Sequence, residues 1–154
     1  MRKGIVLLCF LFYMGGLAGC LSSVKTVENN QKHGKAKVDK KNDIVITMGE
    51  QSNLDKFQQF LTHVKSGKAD KVRIVNYTDE GDPIFQTLNY DGININYLFD
   101  DSNDKFGGRH KGEKGDVCKG IMKEKSDEGV SYTLSECKES HEYISYFLLK
   151  VPHE

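Results

Sequence analysis

The spacing of the apolar residues divides the chain into a helical part and a β part. Apolar side chains recur at steps of three and four residues at five positions: Leu54, Phe57, Phe60, Leu61 and Val64. This spacing lines one face of an α-helix, which either Asn53 or a capping box of Ser52 and Asp55 would begin. Gly67 stands where a left-handed helix stop is expected, and beyond it the period falls to two residues, as in strands. The sequence therefore predicts one amphipathic helix followed by strands.

A first β-hairpin is predicted between residues 84 and 99. Two alternating stretches, 84–90 and 93–99, flank the pair Asp91-Gly92, which is favoured in a two-residue type I′ turn. Such a turn places Leu88 opposite Ile95. One face of this hairpin is then apolar and the other carries asparagines, so we expect the apolar face to pack on the helix.

A second hairpin is predicted around residues 126–129. Its strands are 117–124 and 130–136. With a symmetric turn, Ile121 lies opposite Leu134 and Cys118 lies opposite Cys137, whereas a bulge in the turn would shift this register by one residue. Opposite residues of an antiparallel pair are within disulfide range.

The order of these elements predicts an α+β domain. A short strand at 44–48 comes before the helix, a strand that ends at the turn 79–83 follows it, and an apolar run at 143–151 forms the final strand. We expect one amphipathic helix packed on an antiparallel sheet of about five to seven strands, in the order strand, helix, strand and then two hairpins.

The N-terminus has the pattern of an export signal. Two basic residues precede an almost unbroken apolar run over 5–14, as in signal peptides. The run ends in Leu17-Ala18-Gly19-Cys20, which resembles the lipobox of bacterial lipoproteins, where the cysteine thiol receives a diacylglycerol. An uncleaved membrane helix over 4–21 would be barely long enough to span a bilayer. We therefore expect residues 1–19 to be removed and Cys20 to hold the chain on the outer face of the cell membrane.

Residues 20–43 are predicted to form the lipidated cysteine and a flexible polar tether. This stretch is rich in Ser, Asn, Gln and Lys, and a flexible coil of this length would hold a domain about 25 to 30 Å from the bilayer. Its lysines either attract anionic lipid or wall polymer or only keep the tether solvated. The globular domain is then expected over residues 44–152.

The cysteines support export to an oxidising compartment. Of the four cysteines, Cys9 is removed with the signal and Cys20 is lipidated, which leaves Cys118 and Cys137 to form one disulfide. A metal pair or a catalytic thiol would require a C-x-x-C spacing or a histidine partner, and the sequence offers neither. No cofactor is predicted.

The segment 100–116 is predicted to be a long polar loop. Its possible ligand-binding residues are Asp100, Asp101, Asp104, Phe106, Gly107, Gly108, Arg109 and His110. The aspartates partly match the alternating oxygen ligands of a calcium loop, but the glycine and glutamate of that motif are missing. The stretch 107–111 could cradle a phosphate or carboxylate, although it lacks the P-loop spacing. The interpretation we favour is a mobile hydrophilic loop with Phe106 tucked onto the core, and no metal site is predicted.

The chain also resembles small surface lipoproteins of Gram-positive bacteria that carry a single uncharacterised domain. The residues that carry the resemblance are Asn53-Leu54-Asp55-Lys56-Phe57, Arg73-Ile74-Val75-Asn76-Tyr77-Thr78, Glu80-Gly81-Asp82-Pro83-Ile84, Asp104-Lys105-Phe106-Gly107-Gly108 and the pair Cys118 and Cys137. The resemblance supports the fold and the location. It implies no established activity and no catalytic residues.

The sequence favours a binding function over catalysis or nucleic-acid recognition. Removing the signal leaves 20 basic and 22 acidic side chains, so no positive excess argues for nucleic acid. The histidines are scattered, without an H-E-x-x-H or G-x-S-x-G motif. We therefore expect a non-catalytic interaction module of the cell envelope that engages a protein, peptide or wall component through the polar loop and an exposed sheet edge. The alternative is a small-molecule or metal-binding lipoprotein that uses Asp100, Asp101, Asp104 and His110.

Overall fold

The structure, a computed structural model, describes residues 36–139 and 141–153. Its elements are β1 (Ile44–Ile46), β2 (Gln51–Ser52), α1 (Leu54–Ser66), β3 (Asp70–Tyr77), β4 (Pro83–Tyr90), β5 (Ile95–Asp100), β6 (Glu113–Cys118), β7 (Gly120–Ser126), β8 (Gly129–Ser135) and β9 (Phe147–Val151). No helix within these two ranges is long and apolar enough to cross a membrane. The predicted signal peptide, Cys20 and most of the predicted tether lie outside the described residues.

The strands form two sheets instead of the single sheet that was predicted. The first sheet has six strands in the order β2-β1-β3-β4-β5-β6, and the second has three in the order β7-β8-β9. All strand pairs are antiparallel except β1 with β3, which are parallel because α1 connects them. The prediction of an α+β domain with one helix and mostly antiparallel strands is confirmed.

The helix begins and ends where the sequence pattern places it. Its Phe57 and Phe60 side chains are fully buried. Gly67 adopts the left-handed conformation at the C-terminal end, with φ of 69°, so the predicted stop is confirmed. The capping prediction is wrong, because Asn53 at the N-terminal end makes no capping hydrogen bond. Its side-chain amide instead donates to the backbone carbonyls of Lys40 and Asp43, at 3.0 and 2.6 Å.

The register of the first hairpin, β4 with β5, differs from the prediction by two residues. Leu88 pairs with Tyr97 instead of Ile95, because the turn takes four residues and not two. The Asp91 carboxylate accepts hydrogen bonds from the backbone N–H groups two and three residues further on, at 2.8 and 2.7 Å, which stabilises the longer turn. A shift of two residues leaves each side chain on its predicted face, and the apolar face does pack in the core with the helix.

The second hairpin, β7 with β8, has the predicted symmetric register, but its first strand is shorter than expected. Ile121 pairs with Leu134, without the shift that a bulge would cause. The predicted strand 117–124 is divided at Lys119, because Cys118 already pairs with Ile95 of β5 at the edge of the first sheet. The predicted disulfide between Cys118 and Cys137 is present. It therefore joins the last residue of β6 in the first sheet to the segment just beyond β8 in the second.

Strand β9 is attached to the first sheet by side chains instead of a backbone ladder. Four side chains of the first sheet donate hydrogen bonds to backbone carbonyls in β9 or just before it. The donor and acceptor pairs are Tyr97 with Ser145, Gln86 with Phe147, Asn76 with Leu148 and Gln51 with Lys150. Burial raises the pKa of Tyr97, which keeps its hydroxyl protonated and able to donate. One apolar core continues through both sheets and α1, where Phe57 meets Tyr132 of β8 edge to face with ring centroids 5.0 Å apart.

Candidate interaction surface

Three connecting segments meet at one end of the first sheet. Strands β1, β3 and β5 end there, and β4 and β6 begin there. The segments are 47–50, 78–82 and 101–112, and together they are called the loop end. The opposite end of the same strands carries the β4–β5 turn with Ile93. Because β3 to β6 alternate in direction and β1 runs parallel to β3, residues that are far apart in the sequence share one end of the sheet.

The polar loop is shorter than predicted. Asp100 is the last residue of β5, and Glu113–Cys118 forms β6, so the loop covers 101–112. The sequence of β6 is polar, yet Asp116 is buried because protein donors satisfy its carboxylate. An apolar pattern could not reveal a strand of this kind, since its inward-facing position holds a charged residue.

The loop carboxylates accept hydrogen bonds from nearby groups of the chain. Asp100 accepts one from the N–H of Ser102 at 2.9 Å. Asp101 accepts from the N–H of Gly112 at 2.5 Å and from the Lys114 ammonium at 3.0 Å. A cation bound at these aspartates would have to replace these donors.

Within the described residues, one group of three close metal-ligating side chains is found, and it lies outside the loop. It consists of Asp116, Cys118 and Cys137, and the two sulfur atoms are bonded to each other. The loop aspartates and His110 belong to no such group within that part of the chain. His110 instead stacks on Tyr143 with ring centroids 4.3 Å apart. The geometry therefore adds no support to a metal site in the loop, and that alternative stays a prediction.

Backbone N–H groups at the start of the glycine-rich stretch bind a carboxylate of the protein itself, that of Asp104. The Asp104 carboxylate accepts hydrogen bonds from the backbone N–H groups of Phe106 and Gly107, at 2.8 and 2.7 Å. A Cβ atom at Gly107 would lie 3.0 Å from this carboxylate, so the turn fits glycine best. A Cβ atom at Gly108 would meet no atom within 4 Å, and Arg109 is exposed. Of the N–H groups in the stretch 107–111 that was predicted to cradle a phosphate, that of Gly107 thus already binds a carboxylate.

Phe106 projects into solvent, and the prediction that it packs on the core is wrong. Its side chain is 76% exposed. The preceding residue, Lys105, is fixed to the domain, since its N–H and its ammonium both donate to the buried Asp82 carboxylate, at 2.9 and 2.8 Å. The Lys111 ammonium adds a bond to the Asp104 carbonyl at 2.8 Å. The loop backbone is therefore held in the conformation that exposes the Phe106 ring.

The N-terminal residues of the described chain reach the same loop. Residues 36–38, called the strap, cross the face of the first sheet opposite to α1, and Ala36 and Val38 pack against a small apolar cluster there. Asn103 of the loop donates to the Ala36 carbonyl at 2.9 Å. Arg73 donates to the Lys37 carbonyl at 3.0 Å. Ordered contacts thus begin before residue 44, and the first described residue, Ala36, lies at the loop end.

A buried carboxylate, which sequence reasoning did not identify, connects β6 to the segment after β8. Asp116 accepts hydrogen bonds from the Tyr146 hydroxyl at 2.5 Å and from the N–H groups of Val117, Lys138 and Glu139 at 2.6, 3.1 and 3.2 Å. Burial acts to raise the pKa of Asp116, but these donors outweigh burial and hold the pKa below its ordinary value. The carboxylate is therefore an ionised clamp between the two sheets.

A polar groove of about 450 Å³ lies beside the half of β3 that β1 leaves unpaired. Arg73, on its wall, forms a two-point ion pair with Asp43 at 2.8 and 2.7 Å. The carboxylate of Asp70, also on the wall, is hydrogen-bonded to Nδ1 of His63 at 2.7 Å. These charged groups already have protein partners, so the groove makes a weaker case for a ligand than the exposed loop. The expectation that the chain is not an enzyme stays a prediction.

Comparison with known proteins identifies the domain. Residues 41–133 match a family model described as a domain of unknown function, DUF4362, which covers more than half of the chain. The chain belongs to the DUF4362 family. No curated protein and no solved structure matches it. The prediction of a single domain of unknown function is therefore confirmed, and its assignment to Gram-positive lipoproteins stays a prediction.

The DUF4362 match includes the loop and excludes parts that complete the fold. It begins just before β1 and ends within β8, so the strap, Cys137 and β9 lie outside it. The loop 101–112 and the Asp116 strand lie inside it. Residues on both sides of the matched stretch therefore complete the apolar packing of the DUF4362 domain in this protein.

Proposed function

We propose that this DUF4362 protein is an exported lipoprotein, cut before Cys20 and held on the outer face of the cell membrane by a diacylglycerol on that cysteine. We propose further that it acts as a non-catalytic interaction module of the cell envelope. Its contact surfaces are the loop 101–112 and the open edge of β7.

The location rests on the N-terminal sequence and on the disulfide. The basic residues, the apolar run and the lipobox-like end at Cys20 form a complete export signal for a lipoprotein. The bond between Cys118 and Cys137 is of the kind that persists in oxidising, extracytoplasmic compartments and is rare in the cytosol. These two observations are independent, and both favour the outer face of the membrane.

The interaction function rests on the fixed exposure of Phe106. An aromatic ring that is 76% exposed would be expected to fold back onto apolar surface if its loop were free to do so. Here the bonds from Asp104, Lys105 and Lys111 hold the loop so that the ring points outwards. A preorganised loop loses little conformational entropy on binding, which favours contact with a partner.

The edge of β7 is the second surface. Strand β7 is the first strand of the three-stranded sheet, so one of its backbone edges is open to an added strand. Lys123 and Lys125 lie opposite Tyr132 and Val130, and charged residues on an edge strand discourage pairing of two identical edges. An extended peptide from another envelope protein fits this edge better than a second copy of the chain.

The decisive experiment compares Cys20→Ala with Cys9→Ala in the full chain, expressed in a bacterium that is fed labelled palmitate. The wild type and Cys9→Ala should both incorporate the label and have identical mature masses, because Cys9 leaves with the signal. Cys20→Ala should incorporate no label and should accumulate at the full precursor mass. Normal processing of Cys20→Ala, or label in that variant, would overturn the proposed anchoring.

A further inference from the structure

The described chain begins at the same end of the domain as the exposed aromatic ring. Asn103 and Phe106 belong to one loop, and Asn103 holds the Ala36 carbonyl at 2.9 Å. The chain between Cys20 and Ala36 spans at most about 55 Å when fully extended. The opposite end of the first sheet, with Ile93, is about 25 Å further away along the strands. The loop end is therefore where the chain from Cys20 enters the domain, and under the proposed anchoring it is the end that the shortest path along the chain connects to the lipid.

We infer that the loop end rests on the bilayer surface and that the Phe106 ring enters the interfacial layer of the lipid. This inference rests on the proposed anchoring at Cys20, and it places the domain closer to the lipid than the distance of about 25 to 30 Å expected for an unconstrained coil. It names the partner of the loop, and it leaves the edge of β7 and the opposite end of the sheet facing away from the membrane.

Exposed apolar side chains at this end fit a lipid interface. Met48, in the segment 47–50, is 99% exposed, and Phe106 is 76% exposed. From the strand order they are about 15 to 20 Å apart across the sheet, too far for one small pocket on a partner but well placed for a broad surface. Phenylalanine is among the side chains by which interfacial segments enter the boundary between headgroups and acyl chains.

The charges at the loop end indicate that the contact is apolar. Lys105, Arg109 and Lys111 belong to the loop with Phe106, whereas Asp79 and Glu80 lie in the neighbouring turn. Glu50, Asp82, Asp101 and Asp104 also lie at the loop end, so its acidic residues outnumber its basic residues by six to three, and attraction to anionic lipid is not the main contribution. One ring would not hold a free domain on a membrane, but the anchor makes the contact intramolecular and raises the effective concentration of lipid at the loop.

The chain contains no tryptophan, which permits a clean spectroscopic test. Phe106→Trp places a single reporter at the loop end, and Ile93→Trp places a matched reporter at the opposite end, where the native side chain is 78% exposed. Both variants are expressed as the full chain, purified as the processed lipoprotein and reconstituted in vesicles of equal parts phosphatidylcholine and phosphatidylglycerol. The mass of each variant establishes that the lipid and the disulfide are present.

The fluorescence of the Phe106→Trp variant should shift to the blue in vesicles and should be quenched about two-fold by lipids with brominated tails, because tryptophan favours the membrane interface. The Ile93→Trp variant should show neither effect, and added salt should change neither result.

Three outcomes would contradict this inference. Equal emission from the two variants in floated vesicles would overturn it and leave the anchoring intact. Absence of diacylglycerol on Cys20 would overturn both the inference and the proposed anchoring. A blue shift in the Phe106→Trp variant without quenching by brominated lipid would assign the loop to contact with a second copy of the chain, and it would also overturn the inference.

Discussion

The two sheets of this protein are stabilised in different ways. The six-stranded sheet packs apolar side chains such as Ile74 and Leu88 against α1, and both residues are fully buried. The three-stranded sheet shares that core, but it also depends on specific cross-links to the first sheet: the disulfide, the Asp116 clamp and the side-chain donors to β9. A small sheet with an exposed first strand therefore needs directional bonds to stay in place, since its apolar contact area is limited.

The largest effect should come from Phe57, the residue that contributes to both sheets. Phe57→Ala removes a fully buried ring that contacts Tyr132 of the second sheet, and it should lower the free energy of unfolding by about 3 to 5 kcal/mol. Chemical denaturation followed by far-UV circular dichroism measures this loss. The control is Phe106→Ala, which should change stability by less than about 0.5 kcal/mol because that ring is exposed. Equal losses in the two variants would contradict the described core.

The next effect should come from the disulfide. The double variant Cys118→Ala with Cys137→Ala should lower the free energy of unfolding by about 3 kcal/mol, as expected for a loop of this length. Hydrogen exchange should show that amides of β8 lose protection before those of β3, because the three-stranded sheet has less apolar packing of its own and depends more on this cross-link. Treating the wild type with a dithiol reductant should give the same pattern. Uniform loss of protection across both sheets would remove the distinction between them.

The smallest of the three effects should come from the Asp116 clamp. Asp116→Asn should lower the free energy of unfolding near neutral pH by about 1 to 3 kcal/mol, because a buried acceptor loses part of its hydrogen bonding. The control is Asp127→Asn, which makes the same change in charge at an exposed turn.

The clamp also predicts a pH dependence with a definite sign. The pKa of Asp116 is lower in the folded protein than its ordinary value of 3.8, so its stabilising effect is present above that value. It is lost as the pH falls further through the folded pKa. Thermal unfolding followed between neutral pH and about pH 2 should therefore show a steeper acid loss for the wild type than for Asp116→Asn. Identical slopes would contradict the clamp.

The sequence was informative where local patterns decide the structure. The positions of α1 and the register of β7 with β8 follow from hydrophobic spacing and from turn symmetry. The β4–β5 register was wrong because the Asp91 carboxylate stabilises a longer turn, an interaction that the Asp-Gly pair alone does not reveal. The attachment of the second sheet to the first involves Gln86 and Asn76, whose side chains donate to carbonyls of β9 that lie far away in the sequence.

The candidate surface was predicted only in part. The polar loop was located from its composition, but the exposure of Phe106 depends on the bonds of Lys105 to Asp82, which come from a different turn. Asp116 was missed because a buried carboxylate gives no periodic signal. Its only hint in the sequence is its position two residues before Cys118 on the same face of one strand.

The strap determines how a mechanical load would enter the domain. A pull on the chain towards the membrane acts first on Ala36, at the edge of the contacts that Ala36 and Val38 make with Val45, Val75 and Phe85. Such a load would break the contacts of the strap one residue at a time, whereas a force along a strand pair would have to break several hydrogen bonds together. Each step of strap release therefore needs little force. The strap would come away before the backbone ladders of the sheets are strained, so under the proposed anchoring it would release some chain length before the folded core is loaded.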